Sequence, residues 1–183
     1  AIALLKKHTQ VMEIGKGVDY RLRSLEQATL YLAPITAATE AQLRADFERL
    51  APDNLDRVEN SPITILGRQI DCRCQSGDVA WFTFAALCDG PRSAADYVEL
   101  AREFHALIIS AVPALDDKQS EQVRRFVNLI DELYDRRVKL IIAAAVPLPG
   151  LYKGSVLAFE FARAQSRLIE MQSHDYLGSE HRG

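Results

Sequence analysis

The sequence predicts an α/β fold, and three observations carry that expectation. Residues 106–112 and 138–144 are almost unbroken aliphatic runs of strand length, the pattern of parallel strands buried on both faces. Residues 119–136, between them, repeat apolar side chains at helical spacing. Strand, helix and strand therefore make a βαβ unit over 105–145. Upstream, short apolar segments within 63–88 are punctuated by glycine turns and read as an antiparallel β meander flanked by helices. The 183 residues suffice for a sizeable core. With 48% hydrophobic and 26% charged residues, the composition excludes disordered and collagen-like classes. A net charge of −3 argues against nucleic-acid binding through bulk charge. No apolar run approaches the ~20 residues of a membrane span.

Taken in order, the chain opens at Ala1 without a methionine, inside what reads as the end of an amphipathic helix over 1–9. No basic segment or cleavage signature precedes it, so the expectation is a piece of a longer protein rather than a leader peptide. Residues 11–14 alternate as a strand, and 15–17 form a glycine turn. Residues 19–23 alternate again, with Tyr20 and Leu22 on one face and Arg21 and Arg23 on the other, and read as a second strand. Thr39 and Gln42 have the spacing of a capping box. Leu43, Phe47, Leu50 and Ala51 then form a helical stripe that Pro52 closes, and 52–62 is a loop. Strands are expected at 63–66, 69–72 and 79–84. Ser93 and Asp96 make a second capping box before the stripe Tyr97, Leu100, Ala101 and Phe104. The 119–136 helix buries Val123, Phe126, Val127, Ile130, Leu133 and Tyr134. On its surface Glu121–Arg125 and Glu132–Arg136 are favourable i,i+4 pairs. Pro113 and Pro147 stop the two apolar strands alike. A terminal helix over 159–174 is expected to carry Phe161, Ala162, Leu168, Ile169 and Gln172 on one side, with Arg163, Arg167 and Glu170 on another. The polar tail 178–183 is expected to fray.

Motifs with chemistry of their own are sparse. The sequence holds no phosphate-cradling G-x-x-x-x-G-K-[ST], no G-x-G-x-x-G, no H-E-x-x-H and no G-x-S-x-G. Cys72, Cys74 and Cys88 are an odd set without a second zinc-ligand pair. They read as small buried thiols in a reducing cytoplasm, the first two sharing one strand face, and no metal site is expected. His105 opens a buried strand and reads as a structural histidine. Arg163 and Arg167 lie one helical turn apart, a spacing that suits a charged surface as well as an anion site. Arg124, beside Arg125, and Arg21 are further surface arginines open to both readings. Asp131, Glu132 and Asp135 read as a charged helix face.

Four blocks, in order, resemble the ZapE family, the Afg-type group of P-loop ATPases linked to bacterial division and, in eukaryotes, to mitochondria. Residues 17–23, Gly-Val-Asp-Tyr-Arg-Leu-Arg, resemble G-[VI]-D-Y-R-x-R. Phe84, Leu87-Cys88, Asp96-Tyr97 and Phe104-His105 resemble F-x-x-L-C, D-Y and F-H. The run from Arg124 to Arg136, continued by Val138 to Ile141, resembles R-R-F-[IV]-x-L-[IV]-D-E-[FL]-Y-[DE]-R-x-V-K-L. The run from Phe159 to Ser173 resembles F-x-F-Q-R-T-x-S-R-L-x-E-M-Q-S, with Ala162 and Ala164 where the family usually has Gln and Thr. The resemblance implies the C-terminal half of an AAA-like ATPase, its Walker segments lying upstream. Residues 1–37 would end the nucleotide core, with 11–14 as its last strand, and 38–183 would be a C-terminal α/β extension. It implies ATP and Mg²⁺ as cofactors of the whole protein, none for this chain alone, and no catalytic residue or ATP turnover in this chain by itself. Arg163 and Arg167, and less directly Arg21 and Arg124, become candidates for a phosphate-sensing or intersubunit role, because the guanidinium fork matches phosphate oxygens. The implied partner is a division-ring protein such as FtsZ, with homo-oligomers also in view. A non-catalytic interaction module using 38–116 is the alternative.

Overall fold

The computed structural model describes residues 18–52 and 56–183. The helix end at 1–9, the strand at 11–14 and the turn at 15–17 lie outside the described residues. The architecture is mixed α/β, with one mostly parallel sheet of six strands, a separate two-stranded hairpin, and helices on both faces.

The first described element corrects the sequence reading. Val18–Gln27 is a helix, α1, not a strand. Five alternating residues do not separate the two periods, and here Leu25, one turn beyond Arg21, is the residue that buries, at 1% exposure. A two-residue strand follows, β1 (Tyr31–Leu32). Helix α2 (Ala37–Leu50) starts one turn earlier than the Thr39–Gln42 spacing predicts. Thr36 is its N-cap, Thr39 returns the reciprocal bond, and Leu43, Phe47 and Leu50 turn inward.

The meander expected over 63–88 divides into two hairpins. β3 (Ile63–Ile65) pairs with β4 (Arg68–Ile70) as a small sheet of its own. Leu66 and Gly67 both take positive φ in the turn between them, which suits glycine and strains leucine. β5 (Cys74–Ser76) pairs with β6 (Val79–Thr83) inside the main sheet, and β2 (Val58–Glu59) extends that sheet antiparallel to β5. Residues 84–88 are helical, α3 (Phe84–Cys88), capped by Thr83. Helix α4 (Ala94–Glu103) opens with the expected box of Ser93 and Asp96. The βαβ unit then appears as β7 (Ala106–Val112), α5 (Ser120–Asp135) and β8 (Lys139–Ala144). Strands β6, β7, β8 and β1 run parallel, and the sheet order is β1-β8-β7-β6-β5-β2. Helix α6 (Ala158–Glu170) and the short α7 (His174–Leu177) complete the chain.

The continuous apolar strands sort into two cores with period 2. Phe82, Leu107, Ile109, Leu140 and Ile142 face a core closed by α3, α4, α5 and α6. Their neighbours Trp81, Ile108, Ile141 and Ala143 face the core closed by α1 and α2, through Leu25, Leu43 and Phe47. Cys72 belongs to the first core and Cys74 to the second. Cys72 lies in the bend before β5, so strand alternation does not hold the two thiols on one face.

Two buried polar groups punctuate this sheet. The Ser110 hydroxyl accepts the indole N–H of Trp81 at 3.0 Å. Lys139 is 1% exposed, and its Nζ donates to the carbonyls of Tyr176 and Ser179, each at 2.8 Å. Burial pulls that ammonium down to about 8. The tail is therefore docked rather than frayed. The buried Tyr176 hydroxyl donates toward the carbonyls of Val138 (3.1 Å) and Leu133 (3.2 Å), and Arg182 N–H bonds the Arg136 carbonyl at 2.9 Å.

Candidate functional site

The structure brings two of the four candidate arginines together. Arg163 and Arg167, one turn apart on α6, both reach the Asp131 carboxylate of α5. The Arg163–Asp131 bond is 2.6 Å, and Arg167 binds the other carboxylate oxygen. Arg167 also lies 3.7 Å from Asp135, and its guanidinium sits 4.8 Å from the centre of the Tyr134 ring. Opposite charge thus offsets the i,i+4 repulsion of the two arginines. Arg163 remains 47% exposed and Arg167 24%, with Asp131 at 20%. The seam of α5 and α6 is a half-buried charge cluster with one guanidinium facing water. Its fork geometry is of the kind that matches the paired oxygens of a carboxylate or a phosphate. Asp131 was legible only as part of a charged face. The expected pairing of Glu132 with Arg136 forms at 2.6 Å, and the longer-range partners of Asp131 carry no local signature.

The other two candidates stand apart. Arg124 is exposed on α5, two turns before Asp131. Arg21, on α1, lies across the sheet and donates to Asp78 at 2.8 Å. It lines a cleft of about 560 Å³ with Leu25, Asp78, His105, Ser179 and His181. Asp78 sits in the β5–β6 turn and His105 just before β7, so this cleft lies at the N-terminal ends of the parallel strands. Burial pulls His105 down to about 4, against the pull of Asp78 in the other direction. Asp78 itself is drawn below the usual carboxylate range by Arg21, although burial opposes that. His105 and His181 meet edge to face at 5.9 Å, and a ring nitrogen of His181 lies 2.7 Å from the Ala101 carbonyl oxygen.

At the opposite ends of those strands, where ligands of parallel sheets commonly bind, Asn60, Ser61, Asp71, Arg73 and Thr83 line a crevice of about 260 Å³. Arg73 is engaged by Glu40 and stacks on Trp81 at 4.3 Å. Ala111, at the bulge that ends β7, takes a φ of 57°.

One functional-looking residue escaped the sequence reading altogether. Asp117 accepts bonds from the Tyr152 hydroxyl and from the backbone N–H groups of Ser155 (2.9 Å) and Val156 (3.1 Å). The Tyr152 hydroxyl and those N–H groups pull its carboxyl down to about 2. It fastens the loop that leads into α6. A Cβ at Gly154 would collide with the Asp117 carboxylate and the Tyr152 hydroxyl, so this tie needs glycine there.

Among the described residues, no group of three or more His, Cys, Asp and Glu side chains is placed to hold a metal ion. No described helix is long and apolar enough to cross a membrane. All three cysteines are buried and unpaired. Burial pushes the Cys72 thiol up to about 11 and Cys88 higher still, so neither is a thiolate at neutral pH.

Residues 1–180 match the family model described as AFG1-like ATPase. The Cell division protein ZapE of Escherichia coli strain K12 is 42% identical over 182 residues, which are 99% of this chain and 48% of that protein. The Lactation elevated protein 1 homolog B of Danio rerio is 33% identical over 171 residues, covering 93% of this chain and 34% of that protein. An uncharacterized protein of Schizosaccharomyces pombe is 31% identical over 206 residues, covering 97% of this chain and 45% of that protein. The chain thus spans between a third and a half of the length of these relatives. No solved structure matches it.

Proposed function

The chain belongs to the AFG1-like ATPase family, and from that premise we propose that it is the C-terminal part of a ZapE-like ATPase that binds and hydrolyses ATP with Mg²⁺ in its full-length form. The observation that carries this reading is the match over 99% of the chain to less than half of the bacterial relative. The sequence holds no P-loop of its own, so the backbone cradle for the phosphates and the metal chemistry would come from residues outside the chain. On this reading residues 1–37 close the nucleotide core and 38–183 form the extension. The two portions share one sheet through the β1–β8 pairing.

Within that function, Arg163 is the residue best suited to meet a phosphate or a neighbouring subunit. Its guanidinium is the more exposed of the pair, and Asp131 holds it in a defined position. Arg167 acts as its positioning partner on the same carboxylate. Arg124 and Arg21 would serve elsewhere, Arg21 as the strut between α1 and the β5–β6 turn. A division-ring protein of the FtsZ kind is the partner this family membership suggests, in the cytoplasm, with an oligomer as the working form.

The test is calorimetry and ATP turnover on the present chain and on the longer protein. The reading expects binding and turnover only in the longer protein, and a loss of at least tenfold in its turnover with Arg163→Ala. Hydrolysis by the 183-residue chain alone would overturn the assignment. Full turnover in the Arg163→Ala variant would leave the ATPase standing and remove Arg163 from its site.

A further inference from the structure

Two tyrosines and three cations form a continuous stack between the arginine seam and the C-terminal tail. Tyr134, near the end of α5, lies 4.8 Å from the Arg167 guanidinium of α6. The same ring stacks on Tyr176 of α7, with centres 5.7 Å apart and planes 21° from parallel. Arg137 reaches both rings, at 5.3 Å and 5.1 Å. The Lys139 ammonium lies 5.0 Å from the centre of the Tyr176 ring. Each step is a cation on an aromatic face or a ring on a ring. Arg137 takes its place at a φ of 59°. Glycine commonly holds that left-handed position just past a helix end. An arginine there carries backbone strain, and the guanidinium it delivers spans both rings.

The tail end of this stack is the part that can open. The acceptors of Lys139 are the carbonyls of Tyr176 and Ser179 and the Ser179 hydroxyl at 3.3 Å, all of them neutral. A buried ammonium that faces neutral oxygens is held with little margin. Beyond Leu177 the tail buries no side chain fully, and α7 is a single turn. A short segment with few apolar contacts opens at a lower free energy than the sheet it rests on. Opening removes the ring against which Tyr134 is stacked, and Tyr134 is the ring against which Arg167 is stacked. Arg163 shares the Asp131 carboxylate with Arg167 and lies one contact further on.

We propose that the docked tail positions the arginine seam: Tyr176 holds Tyr134, Tyr134 holds Arg167, and Arg167 with Asp131 fixes Arg163. Tyr134 and Tyr176 are positioning residues for Arg163, and Lys139 is the latch that engages them. The work of Arg163 on a phosphate or a neighbouring subunit rests on the reading of the chain as part of a ZapE-like ATPase. The link between tail and seam does not, because every member of it belongs to this chain. Arg167 and Tyr176 are bridged by Tyr134, so their substitutions should fail to add even though they act at two ends of the stack.

Urea unfolding of the 183-residue chain tests the link. Arg167→Ala is measured in the natural chain, in Tyr176→Phe and in Tyr176→Leu. Its effect on the unfolding equilibrium constant should be the same in the first two, because phenylalanine keeps the ring. In Tyr176→Leu the effect should be smaller by about threefold or more. Lys139→Met keeps the buried stem, drops the ammonium and should shrink the effect likewise. It carries the test where Tyr176→Leu does not fold. An Arg167→Ala effect that is equal in every background would overturn the proposal. So would equal shrinkage in Tyr176→Phe and Tyr176→Leu, which would assign the link to the hydroxyl and not to the ring. In the longer protein, Tyr176→Leu should lower kcat for ATP about fivefold or more at unchanged KM, and Tyr176→Phe should restore it. Coupling in the short chain with kcat unchanged would uphold the hold of the tail on the seam and sink the nucleotide role of the arginines. Turnover lost in Arg163→Ala but kept in Tyr176→Leu, without coupling in the short chain, would overturn the tail link and leave the ATPase reading standing.

Discussion

Replacing Arg167 by alanine separates an architectural arginine from one that works on nucleotide. In the 183-residue chain Arg167 loses its bond to Asp131, the weaker approach to Asp135 and the stack on Tyr134. A partly exposed ion pair contributes about 0.5–1 kcal/mol, and an exposed cation–π contact about as much. The expected cost is about 1–2 kcal/mol, a fall in Tm of about 3–6 °C for a chain of this size. Arg163→Ala, at 47% exposure and with one partner, should cost about 0.5 kcal/mol or less. Urea unfolding followed by the fluorescence of Trp81, the single and fully buried tryptophan, measures both. The decisive quantity is the coupling energy in a double-mutant cycle of Arg167→Ala with Asp131→Asn, expected at about 0.5–1 kcal/mol. A coupling indistinguishable from zero, or an Arg163 variant costlier than the Arg167 one, would refute the account of the seam. In the longer protein, a loss of turnover measured well below the Tm cannot come from this stability change.

Three further outcomes follow from the structure. Tyr176→Phe removes a buried hydroxyl shared by the carbonyls of Leu133 and Val138. It should destabilise by about 1–3 kcal/mol, read by denaturant titration, and no effect would mean that the tail is not docked. His105 is held near 4 when folded, below its ordinary 6.5. Its contribution is intact above pH ~6.5 and is lost as pH falls toward 4. His105→Gln should flatten stability over that window, since the other charged groups facing it, Arg21 and Lys139, keep their protons throughout it. Gly154→Ala drives a methyl group into Asp117 and Tyr152, and should raise amide exchange at Ser155 and Val156 at least tenfold while leaving the β7 amides protected.

Much of the architecture was legible because the strongest signals were local. The unbroken runs at 106–112 and 138–144, the stripe from Val123 to Leu133 and the Ser93–Asp96 cap each act within a few residues, and each appears where expected. The misreadings share one cause, which is competition between periods over short windows. Five residues from Asp19 to Arg23 alternate and also fit a helix. Three short strands in a row do not say which hairpin joins which sheet. On α6, Ala162 and Ile169 are as apolar as Ala164 and Leu168, and only the position of α5 decides which pair is covered. At the site, two arginines one turn apart were visible. Their common carboxylate, about thirty residues earlier, was not, because a contact between helices leaves no spacing to read. Asp117 was silent for the same reason.

Strands that are apolar on both faces have a weakness that strands with one wet face do not. A slip of one residue in β7 or β8 would exchange Leu107 for Ile108, or Leu140 for Ile141, and bury as much hydrocarbon as before. Burial alone therefore leaves the alignment of the central sheet nearly degenerate. What breaks the degeneracy is polar. Ser110 meets the Trp81 indole in one alignment only, and Lys139 meets the carbonyls of Tyr176 and Ser179 in one alignment only. Any shift strands a buried donor without its acceptor, at a cost that hydrocarbon contacts cannot offset. These two residues add little to the total burial, yet they serve as the index marks by which the sheet is assembled in a single way.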